Sequence, residues 1–336
     1  MPAFSPTIDE LRSQVDRTIA ADLERRAEAL PEARLLIDEM WRLTAAGGKR
    51  LRPAFCYWGF RAAGGAHRPE IVRAASSLEL LHTFAIVHDD IMDASDERRG
   101  EEAVHARHGV GVGILVGDLA LVLADDAFMG AGFPPPATAR AFAAYSRMRQ
   151  EVIAGQYLDL AYAARADITV ADARRVAVLK SGRYSIEEPL AIGAALAGAP
   201  DDFVARLAAF GGPLGEAFQL RDDLLGTFGD RSRVGKPVDS DIIEGKRNVL
   251  YAFAAASLEG ESGDFLRSRW GGGGLSDDEI ARLRDLVEAS GARAATERLL
   301  DEQVDEALAR LGDLALGGEE RGALEELVFL ATARRA

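Results

Sequence analysis

Two acidic clusters, Asp89-Asp90-Ile91-Met92-Asp93 and Asp222-Asp223, each stand at the downstream end of a long apolar run of helical period. A chain that buries such runs must do so as helices, with the carboxylates crowning a mostly apolar stripe. Between Pro69 and Met92 one long helix is expected, on which Leu78, His82, Ala85, Asp89 and Asp93 follow at spacings of four, three, four and four, near one face. Aspartates so spaced project from neighbouring turns, so Asp89 and Asp93 can address one position while Asp90 flanks them. A lone cluster of this kind is as readily an ordinary solvated acidic face. Two clusters, each behind a run that reads as buried, favour a shared divalent cation. Hard oxygen donors suit Mg²⁺, which bridges one or two carboxylates to phosphate.

Apolar residues make up 48% of the 336 residues and aromatics only 7%. With Ala and Leu dominant, closely packed helices are favoured over a β-sandwich. The length alone would allow two domains, yet no linker-like shift in composition divides the chain, so one large domain over residues 1–336 is expected. A formal charge of −14 argues against a nucleic-acid partner. Cys56, the single cysteine, excludes an internal disulfide and a cysteine-based zinc site; between Phe55 and Tyr57 it reads as a small core residue rather than a reactive thiol. No signal peptide or long uncharged apolar stretch is visible, so a soluble, cytoplasmic protein without stable membrane insertion is expected.

Helical spacing runs from about Ile8 to Leu43 and breaks at Gly47-Gly48, where a loop continues to Pro53. Gly109 to Gly117 reads as a glycine-spaced turn region, Pro134-Pro135-Pro136 as a hard break, and Ala137 to about Leu160 as helix. Gly211 to Phe228 carries the second acidic pair, followed by a polar loop from Gly229 to Gly245. Gly271 to Gly274 forms a joint, and Ser276 with Glu279 a capping box.

If the carboxylates serve phosphate, fixed cations should flank them. Lys49, Arg50 and Arg52 follow paired glycines that let backbone approach an anion. Arg98 and Arg99 come one to two turns beyond Asp93, and arginine forks clamp phosphate as lysine cannot. Lys236 in Gly235-Lys236-Pro237, then Lys246-Arg247, sit in the polar loop, which reads equally as a cover over bound diphosphate or as an ordinary surface loop.

The strings Gly48-Lys49-Arg50-Leu51-Arg52-Pro53, His88-Asp89-Asp90-Ile91-Met92-Asp93 with Arg98-Arg99-Gly100, Lys180-Ser181-Gly182, and Phe218-Gln219-Leu220-Arg221-Asp222-Asp223 resemble the trans-isoprenyl diphosphate synthases, the polyprenyl synthetase family, in order and separation over roughly residues 40 to 250. The resemblance implies an all-α fold, a single bundle of long antiparallel helices around a deep central cavity, in a homodimer, with the two clusters facing each other across the mouth. It implies head-to-tail prenyl transfer between an allylic diphosphate and isopentenyl diphosphate. It also implies Mg²⁺, about three ions with substrate bound, on Asp89, Asp90, Asp93, Asp222 and Asp223.

By the same resemblance Arg98, Lys180, Lys236 and Lys246 hold the allylic diphosphate, and Lys49, Arg52, His82 and Arg99 the metal-free diphosphate of isopentenyl diphosphate. Ser181 and Gln219 place oxygen dipoles near the allylic cation, and released pyrophosphate takes the final proton. Taken alone, His82 is a core histidine, Lys180 a lysine at a helix end, and Gln219 unremarkable. The second cluster departs from the family pattern, because Gly226 stands where a third aspartate is common; Asp230 is a further candidate, acting through water. Asp222→Ala is expected to abolish most turnover and Asp230→Ala is not.

Leu81, Phe84 and Ala85 would wall the cavity below the first cluster. Ala85 lies almost beneath Asp89, and Phe84 about 140° round the helix. A bulky residue at 84 with a small one at 85 resembles enzymes that stop at geranylgeranyl diphosphate, with farnesyl diphosphate second and longer chains open. A class I terpene cyclase would share fold and acidic motif but need not keep Lys49, Arg52 and Arg99. A non-catalytic subunit of a heteromeric synthase would lack first-cluster aspartates, and an HD-type phosphohydrolase would need further histidine ligands.

Overall fold

A computed structural model describes residues 6–165, 167–229 and 239–332. Helix dominates as expected, and the only strands among the described residues are Glu97–Arg98 and Glu101–Glu102. Contacts gather into two compact units: Met1–Ala144 with Pro189–Val204 and Leu316–Leu327, and Tyr145–Glu188 with Ala205–Ala315 and Val328–Ala336. Helices Pro135–Ala163, Asp201–Phe228 and Gly318–Thr332 contribute residues to both.

In the first unit the chain opens with α1, Ile8–Ala29, started by a capping box between Thr7 and Glu10. Leu11, Val15, Ile19, Leu23 and Ala27 bury one stripe of it. The single stretch expected to reach Leu43 is two helices. Pro31 opens a short 3₁₀ turn, Pro31–Ala33, and α2 follows as Arg34–Ala45. After α3, Leu51–Ala62, comes α4, Pro69–Met92, which starts on a proline that has no N–H to leave unsatisfied and ends at Asp93. Packed against α1, α2, α3 and α6, α4 is buried almost all round. Each fully buried leucine, such as Leu78 or Leu81, contributes about 2 kcal/mol. Cys56 is buried in α3, and burial pushes its thiol up to about 12, far from a reactive thiolate.

The glycine-spaced turn expected at Gly109 to Gly117 is instead the start of a helix. After the short α5, Val104–His108, α6 runs Val110–Met129. Its glycines do not break it; they let it lie against α4. A Cβ on Gly113 would fall 2.8 Å from Ile91 Cδ1, and one on Gly117 would collide with the His88 ring. Both neighbours flank Asp89 and Asp90, so close packing with α6 sets where the first cluster stands.

α7, Pro135–Ala163, starts inside the proline run in the first unit and enters the second at Tyr145; there α8, Val170–Ala177, leads into a π-helical segment, Val178–Glu187. π turns are rare and gather at functional sites; nothing in the local pattern around Lys180 foretold this one. Glycines 182 and 215 let the segment's backbone touch that of the long acidic helix: a Cβ on Gly182 would lie 2.8 Å from the Gly215 carbonyl carbon. α9, Glu188–Leu196, belongs to the first unit from Pro189 on, and the acidic helix is α10, Asp201–Phe228, in the second unit from Ala205 on. The polar loop ends in a short α11, Ser240–Glu244, before α12, Val249–Ser257, and α13, Gly260–Arg269. α14, Asp277–Ala289, opens on the expected Ser276–Glu279 capping box. Leu220, Leu224, Ile242, Leu250, Leu266 and Leu283 share the core of this unit. Trp270 Nε1 donates to the Lys246 carbonyl at 2.9 Å and so pins the loop's end to that core.

Candidate active site

In the first unit the candidate residues are built around Arg50, which is not a surface cation. Its side chain is buried, with Nε donating to Asp16 Oδ1 at 2.7 Å, Nη1 to Glu79 Oε1 at 2.9 Å and to the Gly47 carbonyl at 2.8 Å, and Nη2 to the Thr44 carbonyl at 2.5 Å. Its backbone is left-handed, φ 52°. Arg50 therefore nails the glycine loop to α1 and α4, while Lys49 and Arg52, its half-buried neighbours, stand on either side.

Arg98 and Arg99 are not on a continued helix. The two short strands form a hairpin whose turn is Arg99-Gly100, both at positive φ, 58° and 76°. The turn sends the two arginines to different partners. Arg98 Nε donates to Asp90 Oδ1 at 2.7 Å, and its Nη2 reaches Asp90 Oδ1 and, at 3.4 Å, Asp89 Oδ2. Arg99 Nη1 donates to the carbonyls of Leu43, 3.0 Å, and Gly47, 2.7 Å, while Nη2 meets His82 Nε2 at 3.4 Å.

His82 is held well below the usual imidazole value, first by burial and then by the charges of Arg52, Arg99, Arg98 and Arg50. A neutral ring beside an arginine donor presents its Nε2 lone pair and carries its proton on Nδ1. Arg50 and Arg98 are matched by carboxylates, whereas the hydrogen bonds of Arg99 go to carbonyls and to that neutral ring. The structure thus brings Arg99, His82 and the glycine loop together as an electropositive patch beside the acidic one. Phe84, one turn before His88, meets its ring edge-on with centroids 5.0 Å apart, and Leu81 is buried while Ala85 is half-buried.

In the second unit Lys180 Nζ pairs with Asp159 Oδ2 at 2.5 Å, and Ser181 beside it is buried. Gln219 Nε2 donates to Asp223 Oδ1 at 2.7 Å, which turns its carbonyl oxygen the other way. Asp222 is half-buried and Asp223 buried. Burial, then the charges of Asp241 and Asp222, push the Asp223 carboxyl up to about 8, against the pull of the Gln219 hydrogen bond. Lys246 pairs with Glu244 at 2.9 Å. Lys236 and Asp230 lie outside the described residues. Among the described residues no three histidine, cysteine, aspartate or glutamate side chains could hold a metal ion by themselves.

Residues 34–287 match the polyprenyl synthetase family. This chain belongs to the polyprenyl synthetase family. The synthetase is a prenyltransferase of the isoprenyl diphosphate synthase kind. It is 34% identical to the geranylgeranyl diphosphate synthase of Sulfolobus acidocaldarius over 291 residues, 84% of this chain and 83% of that one. It is 32% identical to a (2E,6E)-farnesyl diphosphate synthase of Mycobacterium bovis over 294 residues, 86% and 80% of the two chains. The structure of geranylgeranyl pyrophosphate synthase from Corynebacterium glutamicum, complexed with isoprenyl diphosphate and magnesium, superposes with a TM-score of 0.94 at 34% identity, covering 98% of this chain and 100% of that one. The all-α expectation is borne out by this likeness and by the helices themselves.

Three side chains of the synthetase's site region escaped the sequence reading: Asp159 on Lys180, and Asp241 and Asn248 beside the second cluster. Asp241 Oδ2 accepts from Asn248 Nδ2 at 2.9 Å. The only trace of these in the sequence is the Asp239-Ser240-Asp241 run after the polar loop. Among the described residues no helix is long and apolar enough to cross a membrane.

Proposed function

We propose that this synthetase condenses isopentenyl diphosphate with an allylic diphosphate, with Mg²⁺, to a linear all-trans product, geranylgeranyl diphosphate. The observation that carries the chain-elongating reading over a terpene cyclase is the Arg99–His82–Gly47 patch. A diphosphate bound without metal needs protein cations, and a cyclase has no such substrate. Lys49, Arg52, His82 and Arg99 are assigned to it, the neutral His82 as an acceptor that orients Arg99.

The donor set fits Mg²⁺: all-oxygen clusters, one of whose carboxyls, Asp223, is pushed up by burial and then by its acidic neighbours and would be returned to the ionised form by a divalent cation. Asp89, Asp90, Asp93, Asp222 and Asp223 would hold it, about three ions in all. The chemistry it supplies is neutralisation of charge on the departing pyrophosphate. Arg98, Lys180 and Lys246, now paired with carboxylates, are assigned to the allylic diphosphate together with Lys236. Ser181 and the carbonyl oxygen of Gln219 are assigned to the allylic cation.

Two further readings accompany this one. A single domain over residues 1–336 is favoured because both units are assembled from interleaved stretches of chain; a cytoplasmic site goes with water-soluble diphosphate substrates. A homodimer is favoured by the outer face of α6, where Leu115, Val122 and Met129 are exposed at spacings of seven. Val122→Glu is expected to give monomers in analytical ultracentrifugation where the parent sediments as a dimer; a variant that sediments like its parent would remove this face from the interface.

Purified protein incubated with Mg²⁺, isopentenyl diphosphate and either dimethylallyl, geranyl or farnesyl diphosphate should yield a linear diphosphate. Cyclic hydrocarbon, or no product with any primer, overturns the reading. Phe84→Ala should lengthen the product by at least one isoprene unit, seen by chromatography after dephosphorylation. An unchanged product would remove Phe84 as the floor. The farnesyl alternative keeps its place because the mycobacterial relative carries that name at nearly the same identity.

A further inference from the structure

We propose that Arg42 is a positioning residue for diphosphate binding: clamped by Glu39, it holds the hairpin on which Arg98 and Arg99 ride. This rests on the reading of those two arginines as diphosphate ligands and deepens it.

The hairpin needs a hold from outside. Its strands pair at two positions, Glu97 with Glu102 and Arg98 with Glu101, and one further bond closes its base, from the Ala103 N–H to the Asp96 carbonyl at 2.8 Å. Even longer two-stranded hairpins are marginal in water when isolated. The first pair also sets two glutamates directly opposite each other, where like charges destabilise the ladder. Yet this element must aim two arginines in different directions, and groups that bind a reacting substrate tolerate little misplacement.

The hold comes from the last turns of α2. Arg42 Nη2 donates to the Glu102 carbonyl at 2.9 Å, and Nη1 lies 3.5 Å from Glu101 Oε2. Arg42 is itself fixed, because Nε and Nη2 both donate to Glu39 Oε2, at 2.9 and 2.7 Å, one turn back on the same helix. Glu39 is only 6% exposed. Burial would raise its carboxyl, but Arg42 and then His108 outweigh it and hold it below the usual range, so the anchor is ionised. His108 Nε2 stands 3.2 Å from Glu39 Oε1, so one buried carboxylate ties down both the second strand, through Arg42, and the end of α5. Leu43, the next residue of α2, gives its carbonyl to Arg99. Without Arg42 the hairpin leans on the bonds that Arg98 and Arg99 make themselves, with Asp90 and with the carbonyls of Leu43 and Gly47. Those are the groups that are to bind substrate. The competing account is that Arg42 only stabilises α2 and its buried glutamate.

Steady-state kinetics of Arg42→Met separate the two. A loss of folded protein lowers Tm and apparent kcat and leaves KM alone. Loss of positioning is expected to raise KM for isopentenyl diphosphate and for the allylic diphosphate about tenfold each, the lower end of what removing the support of a binding group costs around metal sites. Amide hydrogen exchange in residues 97–102 should quicken in the same variant. Arg42→Lys keeps the charge but not the fork that reaches Glu39 and the carbonyl together, so its KM values should stay closer to those of Arg42→Met than to the parent's. Arg34→Met, which removes an exposed pair with Asp38 on the same helix, should leave both KM values as they are. Parental KM values in Arg42→Met, with or without a fall in Tm, overturn the proposal. Arg99→Met tests the reading beneath it. If that variant keeps the parental KM for isopentenyl diphosphate, the assignment of the hairpin arginine has failed, whereas a raised KM in Arg99→Met with none in Arg42→Met defeats this proposal alone.

Discussion

Asp89→Ala is expected to lower kcat about a thousandfold, the scale on which single preorganised electrostatic groups act, while leaving the protein as stable as before or slightly more so. The two halves of this expectation have one cause. Asp89, Asp90 and Asp93 crowd the C-terminal end of α4, where the helix dipole is already negative and an added carboxylate is unfavourable by about 0.5 kcal/mol. Arg98 relieves part of that strain, but it grips Asp90 and reaches Asp89 only at 3.4 Å. A residue kept where it destabilises its own helix is kept for what it binds. Steady-state turnover at saturating Mg²⁺ and a thermal melt test both halves together; a variant within tenfold of parental kcat would remove Asp89 from the chemistry. Asp90 should behave differently, because its loss leaves the half-buried Arg98 without its main partner and costs stability as well as rate.

The second large effect concerns folding. Arg50→Met is expected to lower the unfolding free energy by about 3–5 kcal/mol, the usual result of deleting one member of a buried ion pair. Glu79 is almost completely buried, and both it and Asp16 are oriented by the Arg50 guanidinium. Without it a buried carboxylate is orphaned and the glycine loop that also anchors Arg99 loses its tether. Urea denaturation measures the loss, and a change under 1 kcal/mol would show that the network is dispensable. Lys49→Met, one residue away, should cost little stability, so the pair distinguishes the scaffold from the site.

That contrast shows where the sequence stops being legible. Lys49, Arg50 and Arg52 look alike in the string, and only the contacts from α1 and α4 show that the middle one faces inward. Local signals read well. Proline and the acidic end bounded α4 at Pro69 and Met92, and the Ser276–Glu279 box opened α14 where expected, because proline geometry and capping act within a few residues. Signals that depend on a distant partner did not. The glycines of α6 looked like a turn because glycine is a breaker in isolation, and their purpose is visible only against His88 and Ile91. Likewise, the small residue at 226 is explained only by the carboxylate of Asp241, fifteen residues on, which lies where a side chain would begin.

The packing of α6 has a mechanical consequence. Gly113 and Gly117, which seat α6 on the carboxylate end of α4, lie roughly opposite Leu115, Val122 and Met129 on the helix. α6 thus backs the carboxylate end of α4 with one side, and the dimer interface proposed above would lie on the opposite side of the same helix. In such a dimer a substitution at Val122 is expected to alter turnover as well as assembly, because the helix that carries it also seats the residues flanking Asp89.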